Sequence, residues 1–164
     1  MRVLVYVLAL LFTPDGGRVV LVHKTRPAWQ AGRVNALGGK LHPGESAADA
    51  ARRETREEAG VDVAGWDEFL VWDDAQYRMH ACRAFDPAAE RAYTAEDQDV
   101  FLADALALPP NVIDNLRWLV PLALDRDVRV PVRVRSADPA GSGLTEPVPA
   151  PAPRATTPPT GSPS

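Results

Sequence analysis

The stretch GKLHPGESAADAARRETREEAGV, residues 39 to 61, contains the features that decide the fold. Ser46 favours the position just before a helix, and Asp49, three residues later, completes an acidic variant of the capping box. Gly60 stands where helices commonly end in the left-handed conformation. We therefore predict a helix between Ser46 and Gly60, whose alanines are small enough to pack closely on a sheet.

Three glutamates crowd the second half of this predicted helix. Glu54, Glu57 and Glu58 are separated by three and four residues, so their carboxylates share one face. Their repulsion costs roughly a few tenths of a kcal/mol per pair, and the helix dipole adds about 0.3–1 kcal/mol per charge. A divalent hard cation reverses this balance because Mg²⁺ requires oxygen ligands. Taken alone, however, the cluster is more typical of a solvated helix face.

The surrounding residues favour the metal site. The segment matches G-x5-E-x7-R-E-U-x-E-E-x-G-U, where U is aliphatic, at every fixed position: Gly39, Glu45, Arg53, Glu54, Glu57, Glu58 and Gly60. Seven such matches arise by chance at roughly a few in 10⁹ start positions, so the pattern is specific. It is the Nudix box, and the chain therefore resembles the Nudix hydrolase family. Thr55, at the first U position, is the one departure, and its methyl group can still pack.

The resemblance implies a reaction and the residues that perform it. Nudix enzymes cleave compounds made of a nucleoside diphosphate linked to another group, by attack of water on phosphorus with Mg²⁺ or Mn²⁺. By their positions in the box, Glu57 and Glu58 resemble the principal metal ligands. Glu54 resembles a residue that binds metal or acts as the base, and the Gly39 carbonyl resembles a further ligand. Arg53 resembles the residue that orients the catalytic glutamate.

Two further positions have alternative interpretations. Glu45 matches a box position that is more often structural. In the late loop TAEDQDV, residues 94 to 100, Gln98 aligns best with a metal-binding or basic glutamate of several family members. A glutamine can ligate through its carbonyl but cannot act as a general base. Glu96 is the alternative if the loop register differs, and an exposed loop acid explains it equally well.

Candidate substrate residues lie mainly between the second predicted strand and the box. Side chains suited to phosphates or to stacking on a base are Arg26, Arg33, Lys40 and Trp29. Plain surface charges and a packing tryptophan explain these four equally well. The pattern GRVNALGGK, residues 32 to 40, resembles sanitising nucleotide pyrophosphatases, in which an asparagine at the position of Asn35 hydrogen-bonds the base. Asn115 falls where those enzymes place another base-binding residue.

Alternating and apolar-rich runs elsewhere predict strands. They cover residues 3–12, 18–24, 66–73, 76–85, 98–103 and 128–134. Pro131 restricts the last of these to a sheet edge because it lacks an N–H for the ladder. The first run is almost continuously apolar and leads through TPDGG into the second, which predicts a hairpin whose first strand is covered on both faces. The same run imitates a signal peptide, but no small-residue cleavage site follows, so we interpret it as core.

A second helix is predicted to begin at Asn111, a good N-cap. Apolar residues then recur at helical spacing: Val112, Ile113, Leu116, Leu119, Val120 and Ala123. Pro121 is expected to kink this helix or end it early. Mixed strands with two helices predict an α+β fold. The resemblance implies a Nudix-type α/β/α sandwich around a mixed sheet.

Composition indicates the domain limits, the class of partner and the cellular location. Half of the prolines follow Ser136 with few bulky apolar residues, so we predict a Nudix domain over residues 1–135 and a disordered Pro/Ala/Thr-rich tail over 136–164. The net charge of −4 argues against stable nucleic-acid binding. Cys82, the single cysteine, excludes an intramolecular disulfide and is compatible with a cytoplasmic location.

The sequence thus predicts a Mg²⁺-dependent hydrolase of nucleoside 5′-di- or triphosphates that releases the monophosphate and phosphate or pyrophosphate. Removal of damaged or surplus nucleotides is the expected purpose. A hydrolase of nucleotide sugars or dinucleoside polyphosphates is an alternative, and a Nudix-fold module that binds nucleotides without cleaving them is another. We expect a nucleotide as the partner, no membrane association, and a monomer or a homodimer.

Overall fold

A mixed sheet of seven strands is the centre of the fold. The computed structural model describes residues 3–136. The strands are β1 (Leu4–Phe12), β2 (Arg18–His23), β3 (Val34–Lys40), β4 (Asp67–Asp73), β5 (Tyr77–Phe85), β6 (Val100–Asp104) and β7 (Val132–Arg135), and the helices are α1 (Ala47–Ala59), α2 (Leu116–Leu124) and a short 3₁₀ helix at Pro87–Arg91. Their order across the sheet is β6-β2-β3-β1-β5-β4-β7. The pairs β1–β5 and β4–β7 are parallel, and the other neighbouring pairs are antiparallel.

Strand β1 is covered on both faces, as its continuous apolarity predicted. Successive side chains of a strand point to opposite faces. On one face Val7, Ala9 and Leu11 join a buried cluster with the alanines of α1. On the other face Leu8, Leu10 and Phe12 join a second cluster with the apolar residues of α2. The two clusters lie on opposite sides of the sheet, so the predicted α/β/α sandwich is confirmed.

The predicted hairpin of β1 and β2 forms only beside its turn. Thr13 donates a hydrogen bond to the Asp15 carboxylate over 2.6 Å, and Gly16 takes a positive φ of 73°. Only Phe12 and Val19 pair directly, because β3 then inserts between the two strands. Our sequence analysis missed β3: two of its seven residues are glycines, which weaken the strand signal. Pairing with β1 and β2 on its two sides forms the strand nonetheless.

Helix α1 begins and ends as the caps predicted. The Ser46 hydroxyl accepts a hydrogen bond from the N–H of Asp49 over 3.1 Å. Gly60 closes the helix with φ of 67°, and its N–H donates to the Arg56 carbonyl. A Cβ at Gly60 would also lie 2.2 Å from the Tyr93 ring, so this position excludes other residues both by conformation and by space.

The predicted start of the second helix was wrong. Asn111 is not its N-cap, and α2 begins five residues later at Leu116. The apolar residues Val112 and Ile113 instead continue the sheet: Val112 bridges Val34, and the N–H of Ile113 donates to the Val34 carbonyl over 2.8 Å. Apolar spacing alone does not distinguish these two outcomes. Pro121 lies inside the helix, which ends three residues after it.

The C-terminal strand lies at the sheet edge, as Pro131 predicted, but it begins at Val132 rather than at residue 128. Ser136 still contacts β4: its N–H donates to the Asp73 carbonyl, and its hydroxyl accepts from the Trp72 indole over 2.8 Å. The rest of the predicted tail, residues 137–164, lies outside the described residues. Across residues 3–136, none of the helices is long and apolar enough to cross a membrane.

Candidate metal and nucleotide site

The glutamate face of α1 packs against the two glycines near the end of β3. The Glu58 carboxylate accepts a hydrogen bond from the N–H of Gly38 over 2.9 Å and is 8% exposed. A Cβ on Gly38 would lie 2.2 Å from the Val7 carbonyl oxygen. A Cβ on Gly39 would lie 2.3 Å from a carboxylate oxygen of Glu54. The backbone of β1 thus excludes a side chain at Gly38, and the Glu54 carboxylate occupies the space that a side chain at Gly39 would take.

Burial changes the proton affinity of two of the three glutamates. It raises the pKa of Glu58 to about 7, although the Gly38 N–H and the charge of Lys24 lower it. Burial also raises the pKa of Glu54, and hydrogen bonding to the Arg53 guanidinium opposes that shift. The negative charge of Glu96 adds to both increases. The site is thus an acidic cluster that favours a proton or a cation.

Arg53 is the centre of the ionic contacts at this site. Its guanidinium binds the Glu45 carboxylate through two N–H groups, at 2.8 and 3.0 Å. It also donates to Glu54 over 2.7 Å, to Glu57 over 3.2 Å and to the Lys40 carbonyl over 3.1 Å. The same hydrogen bonds hold the pKa of Glu45 below its usual range. Arg53 therefore joins the loop before α1 to the glutamate face of the helix.

The oxygen donors present fit a hard divalent cation. Carboxylates from three glutamates and a nearby backbone carbonyl match the ligand preference of Mg²⁺ or Mn²⁺. Within residues 3–136, no three His, Cys, Asp or Glu side chains have the geometry to hold a metal ion. Glu54 and Glu57 instead accept hydrogen bonds from Arg53, and Glu58 accepts from the Gly38 N–H. The predicted ligand set stays a prediction, and metal binding would need these side chains to rotate.

The late loop contributes a structural contact through Gln98. This residue is 7% exposed, and its side-chain oxygen accepts from the backbone N–H of Thr25 over 3.0 Å. The Gln98 side-chain oxygen, which would ligate a metal, thus accepts a hydrogen bond that connects the late loop to the loop at Thr25. In the same loop Glu96 is exposed, and it is the acid whose charge reaches Glu54 and Glu58. A metal role for Gln98 stays a prediction, and the hydrogen bond to Thr25 would compete with it.

The predicted phosphate-binding arginines are engaged in ion pairs. Arg26 forms a two-point contact with Asp97, one bond of which spans 2.9 Å. Arg33 donates to Asp114 over 2.8 Å and to the Val112 carbonyl. Lys40 is exposed at the end of β3, and Trp29 is 65% exposed. Since surface ion pairs contribute little energy, a phosphate would compete with these aspartates at low cost.

The two asparagines lie on segments that the structure brings together. Pairing of Val34 with Val112 places the start of β3 beside the residues that lead into α2. The Asn35 amide donates to the Gln30 side-chain oxygen over 3.0 Å, and its own oxygen accepts from the N–H of Ala36. The Asn115 side-chain oxygen is buried without a hydrogen-bond partner in the described structure.

Two side chains at this site were missed by sequence reasoning. Lys24, directly after β2, lowers the pKa of Glu58 through its charge and forms no salt bridge within the described residues. Gln30 contacts Asn35. The sequence contained one signal for Lys24, its place directly after a strand and before Arg26, but no signal for the Gln30 contact.

Comparison with known proteins supports the family that the Nudix box indicated. A family model described as NUDIX domain matches residues 3–134. The oxidized purine nucleoside triphosphate hydrolase of Mus musculus is 45% identical over 58 residues, which are 35% of this chain and 35% of that protein. The protein of the same name from Danio rerio is 45% identical over 56 residues, which are 34% and 35% of the two chains. The aligned part thus spans about a third of these relatives.

Solved structures show the same fold over most of the chain. A MutT structure from Aliivibrio salmonicida and Vibrio cholerae superimposes with a TM-score of 0.59 at 21% identity, over 73% of this chain and 98% of that one. A MutT NUDIX hydrolase from Burkholderia pseudomallei gives 0.63 at 20% identity, over 74% and 98%. The family model matches the chain far beyond the box itself. The chain therefore belongs to the Nudix hydrolase family, as the motif at residues 39–61 predicted.

Proposed function

We propose that this protein is a divalent-metal-dependent pyrophosphohydrolase of nucleoside 5′-di- and triphosphates, which releases the monophosphate with phosphate or pyrophosphate. One observation carries the proposal. Glu54, Glu57 and Glu58 are all present, and Glu58 is buried and Glu54 half-buried against the glycines of β3, at a cost that burial and mutual repulsion impose. Nudix hydrolases generally use divalent metal ions. A cation would offset that cost, and a solvated helix face would not bury these groups.

Each residue of the cluster has a proposed role. Glu57, Glu58, Glu54 and the Gly39 carbonyl would hold the ion, with Mg²⁺ favoured and Mn²⁺ as a substitute. When bound, the ion supplies positive charge that stabilises the charge developing on phosphoryl oxygens. Glu54 is the proposed proton acceptor: burial raises its pKa, and Arg53 holds its carboxylate in place. Arg53 is a positioning residue that orients Glu54 and Glu57.

The proposed substrate class follows from the cationic, amide and aromatic side chains of the neighbouring segments. Lys24 is the cation whose charge reaches Glu58, so it is the strongest candidate for a phosphate contact, and Lys40, Arg26 and Arg33 are further candidates. Asn35 and Asn115 are proposed to hydrogen-bond the base, and Trp29 to stack on it. The similarity to oxidized purine nucleoside triphosphate hydrolases favours oxidised purine nucleotides, and removal of damaged nucleotides as the purpose.

A phosphate-release assay tests the proposal. Canonical and oxidised nucleoside di- and triphosphates, a nucleotide sugar and a dinucleoside polyphosphate are each assayed with Mg²⁺, with Mn²⁺ and with a chelator. Turnover of nucleoside polyphosphates that needs the ion is expected. Preferred cleavage of the nucleotide sugar or of the dinucleoside polyphosphate would instead identify that compound class as the substrate. Binding of nucleotides without any turnover would replace it with a non-catalytic module.

Substitution of one glutamate tests the metal assignment separately. Glu57→Gln should lower kcat by about 100-fold or more, since a ligand carboxylate is lost. Glu90→Gln, which removes the same charge from the 3₁₀ helix, serves as the control and should leave kcat unchanged. Equal turnover in the two variants would contradict the metal role of Glu57. A cytoplasmic location, a monomeric or homodimeric state and the absence of nucleic-acid binding stay predictions.

A further inference from the structure

Strand β7 presents an open edge of the sheet. In the part of the chain that the structure describes, it pairs with β4 alone. Alternate residues of a strand in a parallel pair bond to the partner strand. The N–H of Ser136 donates to the Asp73 carbonyl, so the even-numbered residues face β4, and the backbone groups of Arg133 and Arg135 point away from the sheet. Each of these two arginines therefore offers one N–H and one C=O to a further strand.

The two faces of this edge differ in chemistry. From residue 128 to residue 135, the valines at even-numbered positions are half-buried, and the arginines and the proline between them are exposed. Val132 and Val134 pack against the buried cluster that includes α2. Arg133 and Arg135 point to the opposite face of the sheet. The edge thus combines an incompletely covered apolar face with a cationic face.

On the cationic face, Asp73 lies among three guanidinium groups. It is paired in register with Arg78 on one side and with Arg135 on the other. The hydrogen bond from Arg78 and the charges of Arg135 and Arg133 hold the pKa of Asp73 below its usual range. Within residues 3–136, Arg78 is bound to Asp73, whereas Arg133 and Arg135 form no ion pair. Two positive charges at this edge are thus available to a partner, although the net charge of the chain is −4.

We propose that β7 is a docking edge for an extended segment of another protein in which acidic and apolar residues alternate. Residues directly opposite each other in a sheet point to the same face. As an added antiparallel strand, the segment would place its acidic residues opposite Arg133 and Arg135 and its apolar residues opposite the valines. Backbone hydrogen bonds supply the affinity in this binding mode, and the alternate side chains supply the specificity. The docking edge is independent of the proposed function.

Charge disfavours two other occupants of this edge. A symmetric antiparallel pair of two copies, centred on Arg133 or Arg135, would set arginine against arginine, and like charges directly opposite each other destabilise a sheet. The C-terminal segment, residues 137–164, contains two acidic residues, Asp138 and Glu146, which are eight positions apart. It therefore lacks the alternation that the edge requires. The same charges that reject a second copy select an acidic strand.

Fluorescence anisotropy with labelled heptapeptides tests the docking. The first probe alternates valine and glutamate, the second valine and lysine, and the third serine and glutamate. We expect saturable binding of the first probe, no binding of the second, and about tenfold weaker binding of the third, which lacks the apolar side chains. If the first probe does not bind, the proposal is overturned, and the arginines only discourage aggregation at the edge.

Methylation of the peptide backbone separates strand pairing from simple charge attraction. In an antiparallel pair with β7, the glutamate N–H groups of the probe bond to Arg133 and Arg135, and the valine N–H groups point away. N-methylation of the glutamates should therefore abolish binding, and N-methylation of the valines should be tolerated. Equal affinities of the two methylated probes would indicate a cationic surface for any anion, including a nucleic-acid backbone, and would overturn the proposal.

Charge reversal assigns the binding to β7. Arg133→Glu should weaken binding of the valine–glutamate probe by about tenfold and create binding of the valine–lysine probe, which would also show that the edge still forms. Arg91→Glu makes the same change at an exposed position of the 3₁₀ helix and is the matched control, which should bind both probes as the wild type does. Equal affinities of the two variants for the valine–glutamate probe would overturn the proposal. A wild-type dimer that is lost in Arg133→Glu would overturn it in favour of a second copy.

Discussion

Glu58 on α1 and Gly38 on β3 are joined by a hydrogen bond of 2.9 Å between the carboxylate and the backbone N–H. This bond spans the contact between the box helix and the strand that precedes it, and it holds an anion in a position that is 8% exposed. The helix and the strand therefore meet through a polar contact at the site, while the alanines of α1 provide the apolar packing behind it.

The proton affinity of Glu58 makes the stability of the metal-free protein depend on pH. Its pKa is about 7 in the folded state against 4.5 as the reference value, so its contribution is fully present below about pH 4.5 and is lost as the pH rises through 7. The limiting loss is on the order of 3 kcal/mol. We expect the free energy of unfolding in a chelator to fall between pH 5 and pH 8. Urea denaturation at both pH values measures it.

Two variants identify the group responsible. Glu58→Gln is neutral at every pH and still offers an oxygen to Gly38, so most of the decrease in stability with pH should disappear. Glu57→Gln removes a carboxylate whose side chain is 48% exposed, and the decrease should persist. The same pH dependence in both variants would show that Glu58 is not the group that titrates.

Gly39→Ala should separate activity from stability. The added Cβ would lie 2.3 Å from a Glu54 oxygen, so this carboxylate has to move. We expect kcat to fall by about 100-fold, because displacement of a catalytic group by about 1 Å has an effect of that size. The thermal midpoint should change little. Gly65→Ala is the control, since its Cβ meets nothing within 4 Å, and wild-type kcat in Gly39→Ala would contradict the placement of Glu54.

Thr55→Val should stabilise the protein by about 1 kcal/mol. Thr55 is the departure from the box, it is fully buried, and its hydroxyl has no hydrogen-bond partner within the described residues. Replacing the hydroxyl by a methyl group removes the cost of burying an unsatisfied polar group. Thr13→Val is the matched contrast: its buried hydroxyl bonds Asp15 and the N–H of Arg18, so that variant should be less stable than wild type. Chemical denaturation measures both.

Arg83→Met should destabilise the protein by roughly 2–3 kcal/mol. Arg83 is 9% exposed on β5 and donates to the Ala123 carbonyl over 2.8 Å, which satisfies an end of α2 that lacks an intrahelical partner. Its loss leaves that carbonyl buried and unpaired. Arg78→Met, on the same strand, removes only an exposed ion pair with Asp73 and should cost less than about 0.5 kcal/mol. Similar unfolding energies for the two variants would contradict the capping role.

Local signals were sufficient for much of the architecture. The caps at Ser46 and Gly60 act within one helical turn, so the ends of α1 were predictable from neighbouring residues. Continuous apolarity predicted β1, because only a strand covered on both faces has no polar side. The second helix was misplaced at its start, because Val112 and Ile113 satisfy a sheet as well as a helix and the partner Val34 is distant in sequence.

The candidate site, like the fold, was predictable from the sequence only in part. Spacing alone placed Glu54, Glu57 and Glu58 on one face of a helix, and that face is present in the structure. Spacing did not show that Arg26 and Arg33 are paired with aspartates, that Gln98 holds Thr25, or that Gln30 contacts Asn35. Arg26, Arg33 and Gln98 find their partners in other loops, and loops have no periodic pattern from which such contacts can be predicted.

The amino-acid sequence by itself determined the family, the helix that presents the acidic face and the central strand, because caps, periodicity and the box depend on residues close together in the chain. Only the tertiary structure decided that β3 exists, where α2 begins, how deeply Glu58 is buried, and which charges remain available to a substrate. Those properties depend on which distant segments meet, and the free energy of burial and pairing is determined at that contact.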